Sequence, residues 1–145
     1  MPKFMKTLNN ISRSQSVFRT AKLKADGICA AHHTFVLAIC SNPGRSQEEL
    51  AREICLNKST VARTLSHLEE KGYVRREANS EDKRSILVYP TEKMLEILPQ
   101  VRSITKEFNS LISSEIPKEE LDVFFSVISR MEEKAKNIAY NQENE

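Results

Sequence analysis

At 145 residues, with 39% hydrophobic and 29% charged residues, the chain has the size and ordinary soluble composition of one domain with its own core. The formal net charge of +2 is too small to establish nucleic-acid binding, so any such contact must rest on where charge is placed. No apolar run approaches membrane-spanning length and the N-terminus lacks an apolar signal core, which predicts a cytoplasmic protein without a membrane partner.

The first predicted helix runs from about Lys3 to Lys24, with Phe4, Leu8, Ile11, Phe18 and Ala21 on one stripe interrupted by Gln15. Asp26-Gly27 ends it. A second helix covers roughly Ala30 to Ser41, with Phe35, Val36 and Ile39 facing inward, and Asn42-Pro43-Gly44 is a turn. Ser46-Gln47-Glu48-Glu49 then reads as a capping box opening a third helix, whose inner face is Leu50, Ala51 and Ile54. Cys55-Leu56-Asn57 forms the next turn, and Asn57 is a good N-cap for a fourth helix that ends at Lys71-Gly72. Tyr73 to Glu77 and Ser85 to Tyr89 read as strands around a polar loop. Pro90-Thr91 leads into a long fifth helix lined by Met94, Leu98, Val101, Ile104, Phe108 and Leu111. Pro99 is expected to kink or break it. After Ile116-Pro117, a last helix repeats Leu121, Phe124, Ile128, Met131, Ala135 and Ile138 at spacings of three and four, a seam suited to helix–helix packing within the chain or in a dimer.

Two short helices around a tight turn, followed by a two-stranded hairpin, describe a winged helix-turn-helix, a shape that sets one helix into a DNA groove. The expected fold class is therefore mainly α, with a small β-hairpin wing and long terminal helices. Residues 1–28 form an N-terminal dimerisation helix, 29–91 the DNA-binding region and 92–145 the C-terminal dimerisation helices. Ala51, Leu56 and Val61 recur at spacings of five: the small Ala51 admits a close crossing, and Leu56 and Val61 fill the angle between the helices. Val61, Leu65 and Leu68 bury one face of the fourth helix, leaving Ser59, Thr60, Arg63, Thr64 and His67 to meet base edges or phosphates. Arg63 is the best candidate for reading a guanine, and Lys58 is placed to meet phosphate. In the wing, Arg76, Asp82, Lys83 and Arg84 are candidates. Arg84 either pairs with Asp82 or enters a narrow minor groove, whose negative potential attracts arginine.

The run from Leu50 to Lys93 resembles the signature region of the MarR family of winged-helix transcriptional regulators. Asp82-Lys83-Arg84 and Val88-Tyr89-Pro90-Thr91 match its wing element, with Pro90 where the family usually has leucine; Gly27-Ile28, Phe35 and Asn42-Pro43-Gly44 resemble its upstream segment. The resemblance covers roughly residues 27–100, and the terminal helices by pattern alone. It implies a homodimer with intertwined terminal helices, the fourth helix in the major groove and the wing in the flanking minor groove. By that analogy Ser59, Thr60 and Arg63 read bases, Arg84 is the wing arginine and Asp82 orients it. It further implies a repressor on a pseudo-palindromic operator of double-stranded DNA, released by a small-molecule effector or by thiol oxidation. The rival reading is a winged-helix protein–protein interaction module that does not read DNA. An enzyme is not expected, since no Walker A, HExxH, GxSxG or dinucleotide glycine pattern occurs.

Cys29, His32 and His33 are the candidates for a ligand or redox site. Cys29 stands at the start of the second helix, where a thiol is readily activated; the bland alternative is a capping cysteine and satisfied histidines at the junction. Three cysteines without CxxC spacing argue against structural disulfides, and no metal set or cofactor is expected.

Overall fold

The computed structural model describes residues 3–142. It divides into two compact units, Met1–Phe108 and Asn109–Glu145. The first holds α1 (Phe4–Lys22), a 3-10 turn (Ala30–His32), α2 (His33–Ser41), β1 (Arg45–Ser46), α3 (Gln47–Ile54), α4 (Lys58–Glu70), β2 (Val74–Ala78) and β3 (Ile86–Pro90). The helix α5 (Glu92–Ser113) crosses the boundary, and α6 (Lys118–Gln142) belongs to the second unit.

Local chemistry accounts for most boundaries. Ser46 Oγ accepts from Glu49 N–H at 3.1 Å while Glu49 Oε2 accepts from Ser46 N–H at 2.9 Å, the reciprocal box that starts α3. Asn57 Oδ1 accepts from Thr60 N–H at 2.8 Å and starts α4. Gly72, at φ 80°, ends α4, and its neighbour Tyr73 donates its N–H to Leu68 O at 2.8 Å. Thr91 Oγ1 donates to Gly72 O at 2.7 Å, tying the start of α5 to that same glycine.

The first unit has one core. Phe35, Val36 and Ile39 of α2, Leu50 and Ala51 of α3, and Val61, Leu65 and Leu68 of α4 close on Tyr73, Val88, Met94 and Val101. Each large aliphatic side chain fully buried there contributes roughly 1.5–3 kcal/mol.

Several expectations need correction. The second predicted helix opens as the 3-10 turn, because Cys29 N–H donates to the His32 ring nitrogen Nδ1 at 3.2 Å and the α-helix begins only at His33. The strands lie one residue later than expected, and β1 was not foreseen. It adds a third strand in the order β1-β3-β2, all antiparallel, with Arg45 and Arg76 flanking Val88 from either side. Leu56 does not fill the helix–helix angle, being 42% exposed. Cys55 just before it has a left-handed φ of 56°, while Val61, expected beside Leu56 in that angle, is fully buried. Pro99 does not break α5. Both Pro99 and Leu95, whose carbonyl loses its N–H partner, lie on the exposed side where water can serve that carbonyl. The α1 stripe buries no residue completely; Phe18 alone of it packs against the core, with its ring 5.4 Å from that of Phe108.

In the second unit, α6 has no buried residue among those described. Phe124 and Ile138 of the seam are more than half exposed, while Leu121, Ile128 and Met131 are partly covered. Val123, Phe125 and Val127 add exposed apolar surface beside it. Among the described residues, no helix is long and apolar enough to cross a membrane.

Candidate nucleic-acid interface

The face of α4 opposite its buried stripe is built by the helical period alone. With Val61, Leu65 and Leu68 inside, Ser59 and Arg63 are exposed and Thr60 and Thr64 lie at the half-buried margin. Ser59 Oγ donates to Asn57 Oδ1 at 2.8 Å, so the cap residue also fixes the first polar side chain of the helix. Arg63 extends into solvent without a hydrogen bond or ion pair among the described residues. Lys58 is engaged: its Nζ lies 2.6 Å from Glu48 Oε1. The hydrogen bond and charge of Lys58 hold the Glu48 carboxyl below the usual carboxylate range.

Two residues expected on this interface are turned elsewhere. His67 is half-buried, with Nε2 2.8 Å from Gly27 O and its ring centroid 5.2 Å from that of His32. It links α4 to the segment before α2. Arg76 is drawn against α4 and α3. Its Nη2 donates to Glu69 Oε1 at 3.0 Å and to Ser66 Oγ at 3.3 Å, and Nη1 donates to Gln47 Oε1 at 3.1 Å.

The wing tip has its own internal order. Asn79 N–H donates to Ser85 O at 3.0 Å and Ser85 N–H to Asp82 O at 2.9 Å, closing the loop. Asp82 Oδ1 accepts from the Arg84 N–H at 3.1 Å and lies 3.6 Å from Arg84 Nε. The pairing leaves the Arg84 side chain 94% exposed, so the same residue is both oriented by Asp82 and presented to solvent. Lys83 is exposed beside it. At the wing's base Arg75 pairs with Glu77 and lies 4.6 Å over the Tyr89 ring. That ring also packs on Gly44, where an added Cβ would meet it at 3.0 Å.

The predicted effector residues separate. Cys29 is an exposed free thiol, and Cys40 and Cys55 are likewise unbridged. His32 is half-buried; burial lowers its pKa most, and the charge of His67 adds to this against an opposing bond from Gly27. His33 is fully buried, and among the described residues neither ring nitrogen finds a hydrogen-bond partner, so the expectation of a satisfied histidine holds for His32, which accepts from Cys29 N–H, and not for His33. Burial, then the charges of Arg19 and His32, pushes His33 down to about 4. Arg19 Nε is also buried and unpartnered. Among the described residues, no group of three or more His, Cys, Asp or Glu side chains is placed to hold a metal ion.

The pairing of Arg76 with Glu69, Ser66 and Gln47, the bond from His67 to Gly27, and the burial of Arg19 beside His33 were not read from sequence. Glu69 had a usable signal: it stands seven residues before Arg76 across the Gly72 reversal, where a helix end and the next strand must lie side by side.

Residues 31–86 match the model of the MarR family. The uncharacterized HTH-type transcriptional regulator YybA of Bacillus subtilis (strain 168) is 24% identical over 131 residues, covering 90% of this chain and 87% of that protein. The crystal structure of MarR is 30% identical, with a TM-score of 0.81 and coverage of 93% of this chain and 92% of that one. A Listeria monocytogenes structure complexed with 26mer DNA superposes with a TM-score of 0.87 at 20% identity, covering 94% of this chain and 91% of that one.

Proposed function

The chain belongs to the MarR family of transcriptional regulators, and from that premise we propose that it is a cytoplasmic homodimeric repressor that reads a pseudo-palindromic operator. The observation that supports this best is Arg63, exposed and without a partner among the described residues, at the centre of an α4 face whose opposite side is fully buried. A guanidinium free of protein partners keeps its forked donors for a guanine edge, a contact worth about 1–3 kcal/mol of discrimination. Ser59, Thr60 and Thr64 supply neighbouring hydrogen-bonding groups. Lys58 exchanges Glu48 for a phosphate, and Arg84 enters the minor groove with Asp82 setting its direction and Lys83 alongside. The superposable Listeria structure holds DNA, which supports carrying this arrangement over. His67 and Arg76 leave the contact set, since their polar atoms are engaged within the protein.

The apolar seam of α6 forms the dimer, joining Leu121, Phe124, Ile128 and Met131 to their counterparts. Release follows from an effector or from thiol oxidation near Cys29, His32 and His33. The unpartnered nitrogens of His33 and Arg19 favour a ligand that brings hydrogen-bond acceptors into that region. Such a ligand must bind the DNA-competent and incompetent states with different affinity to shift their balance.

Fluorescence anisotropy with DNA from upstream of the chain's own gene tests the reading. Specific binding should fall steeply with salt as phosphate contacts release counterions. Retained association with a protein partner and no salt-dependent DNA affinity would favour the interaction-module reading instead.

A further inference from the structure

Arg76 is tied into three elements at once. Its backbone N–H, on the edge strand β2, donates to Glu69 Oε2 at 3.1 Å, and its Nε donates to Glu69 Oε1 at 3.3 Å. With Nη2 on Glu69 and Ser66 and Nη1 on Gln47, four guanidinium N–H donors are occupied. A guanidinium has five such donors in a fixed fork. One remaining N–H cannot make the bidentate contact for which arginine is used at phosphates and bases. The partners are also notable for their places. Gln47 is the first residue of α3, Ser66 and Glu69 belong to the second half of α4, and Arg76 is central in β2. Ser66 hydroxyl donates to Ala62 O at 3.0 Å, which leaves its oxygen free to accept from Arg76.

A carboxylate on the reading helix repels phosphate, and it serves DNA only by accepting from a cytosine amine. The two oxygens of Glu69 instead accept from both the main chain and the side chain of Arg76. This single carboxylate fixes the wing strand to the reading helix, and the guanidinium extends the link to α3.

We propose that Glu69 and Arg76 are positioning residues for operator recognition, a clasp that sets the wing against α4 so that Arg84 and Arg63 address adjacent grooves of one duplex. This inference rests on the DNA-reading function proposed above. Because the clasp is a geometric device, its charge-preserving variant should fail like its neutral one: lysine keeps the charge and loses the fork.

The test is DNA affinity as a function of salt for wild type, Glu69→Gln, Arg76→Gln, Arg76→Lys and the exchange Glu69→Arg with Arg76→Glu, alongside amide hydrogen exchange at Arg76. Glu69→Gln should weaken binding about tenfold, although it removes a negative charge and simple electrostatics predicts tighter binding. Both Arg76 variants should weaken binding by a similar factor with the salt slope unchanged, and the exchanged pair should recover part of the loss. The Arg76 amide should be protected in wild type and exchange faster in Glu69→Gln. Equal or tighter binding by Glu69→Gln overturns the clasp. So does a salt slope lowered by about one in Arg76→Gln, which marks a phosphate contact. A wild-type protein with no DNA affinity overturns the functional reading itself, while Arg76 amide protection still reports whether the clasp exists.

Discussion

Arg63 and Arg84 differ in how the protein prepares them. Arg63 has no hydrogen-bond or ion-pair partner among the described residues, so the selectivity proposed for it comes from the rigidity of the helix that bears it. Arg84 is held by Asp82 through a backbone bond at 3.1 Å and a side-chain approach of 3.6 Å while remaining almost fully exposed. Replacing Arg84 by alanine should therefore weaken DNA binding broadly across sequences and lower its salt slope by about one, read by anisotropy titrations at several salt concentrations. An unchanged slope would remove Arg84 from the phosphate-lined groove. His33 makes a separate prediction about stability. The folded chain holds it at about 4, below its ordinary 6.5, because burial disfavours the imidazolium and Arg19 and His32 repel it. The unfolded chain accepts a proton in that window that the folded chain refuses. Stability is therefore complete above about pH 6.5 and falls as pH is lowered toward 4, by on the order of 3 kcal/mol. Glu48, Glu49 and Glu69, whose pKa values are lowered by their partners, add a further loss only at more acid pH. Urea midpoints at successive pH values should show the loss in wild type and a flatter profile in His33→Met; parallel profiles would assign the window to other groups.

At the scale of elements, the turn between α3 and α4 concentrates local design. Asn57 caps α4 and anchors Ser59, so Asn57→Ala should cost about 1 kcal/mol of stability, measured by chemical denaturation. Cys55 holds a left-handed φ of 56° that side chains rarely adopt, and Cys55→Gly should remove that penalty and gain up to about 1 kcal/mol. A loss of stability in Cys55→Gly would mean that the thiol's contacts with Arg52 and Glu53 carbonyls outweigh the strain. Features of this kind were readable in the sequence because cause and effect lie within four residues: the Ser46–Glu49 box, the Asn57 cap and the Gly72 stop all appear where local chemistry places them. The Asp82–Arg84 pair was legible for the same reason. What escaped depends on partners distant in the chain. His67 bonds a carbonyl forty residues away, Arg76 reaches Gln47 across twenty-nine, and β1 is two residues long with no periodicity to reveal it. Leu56 follows the spacing of a turn residue that packs inward, yet it stands exposed just after the left-handed Cys55.

At the scale of the whole molecule, the end of α5 and the length of α6 carry apolar side chains that the other described residues leave exposed. Phe124, Phe125 and Ile138 of α6 are each more than half exposed, as are Leu111 and Ile112 at the end of α5. Exposed apolar surface of this kind marks an interface, and in the proposed homodimer a second copy of the chain covers it. Sedimentation should find a dimer in wild type and a monomer in the double variant Phe124→Glu, Ile138→Glu; a dimer in both would place the interface elsewhere. In the proposed homodimer, dimerisation and DNA reading are linked, because two α4 helices must be held about one helical turn apart to engage both half-sites. The most direct measurement is therefore selection of binding sites from a random DNA pool by wild type and by Arg63→Ala. Wild type should enrich an inverted repeat with half-site centres about one turn apart, and Arg63→Ala should lose preference at one symmetry-related base pair in each half. Enrichment of no repeat, or of the same repeat with the same preferences by both proteins, would contradict the proposed function.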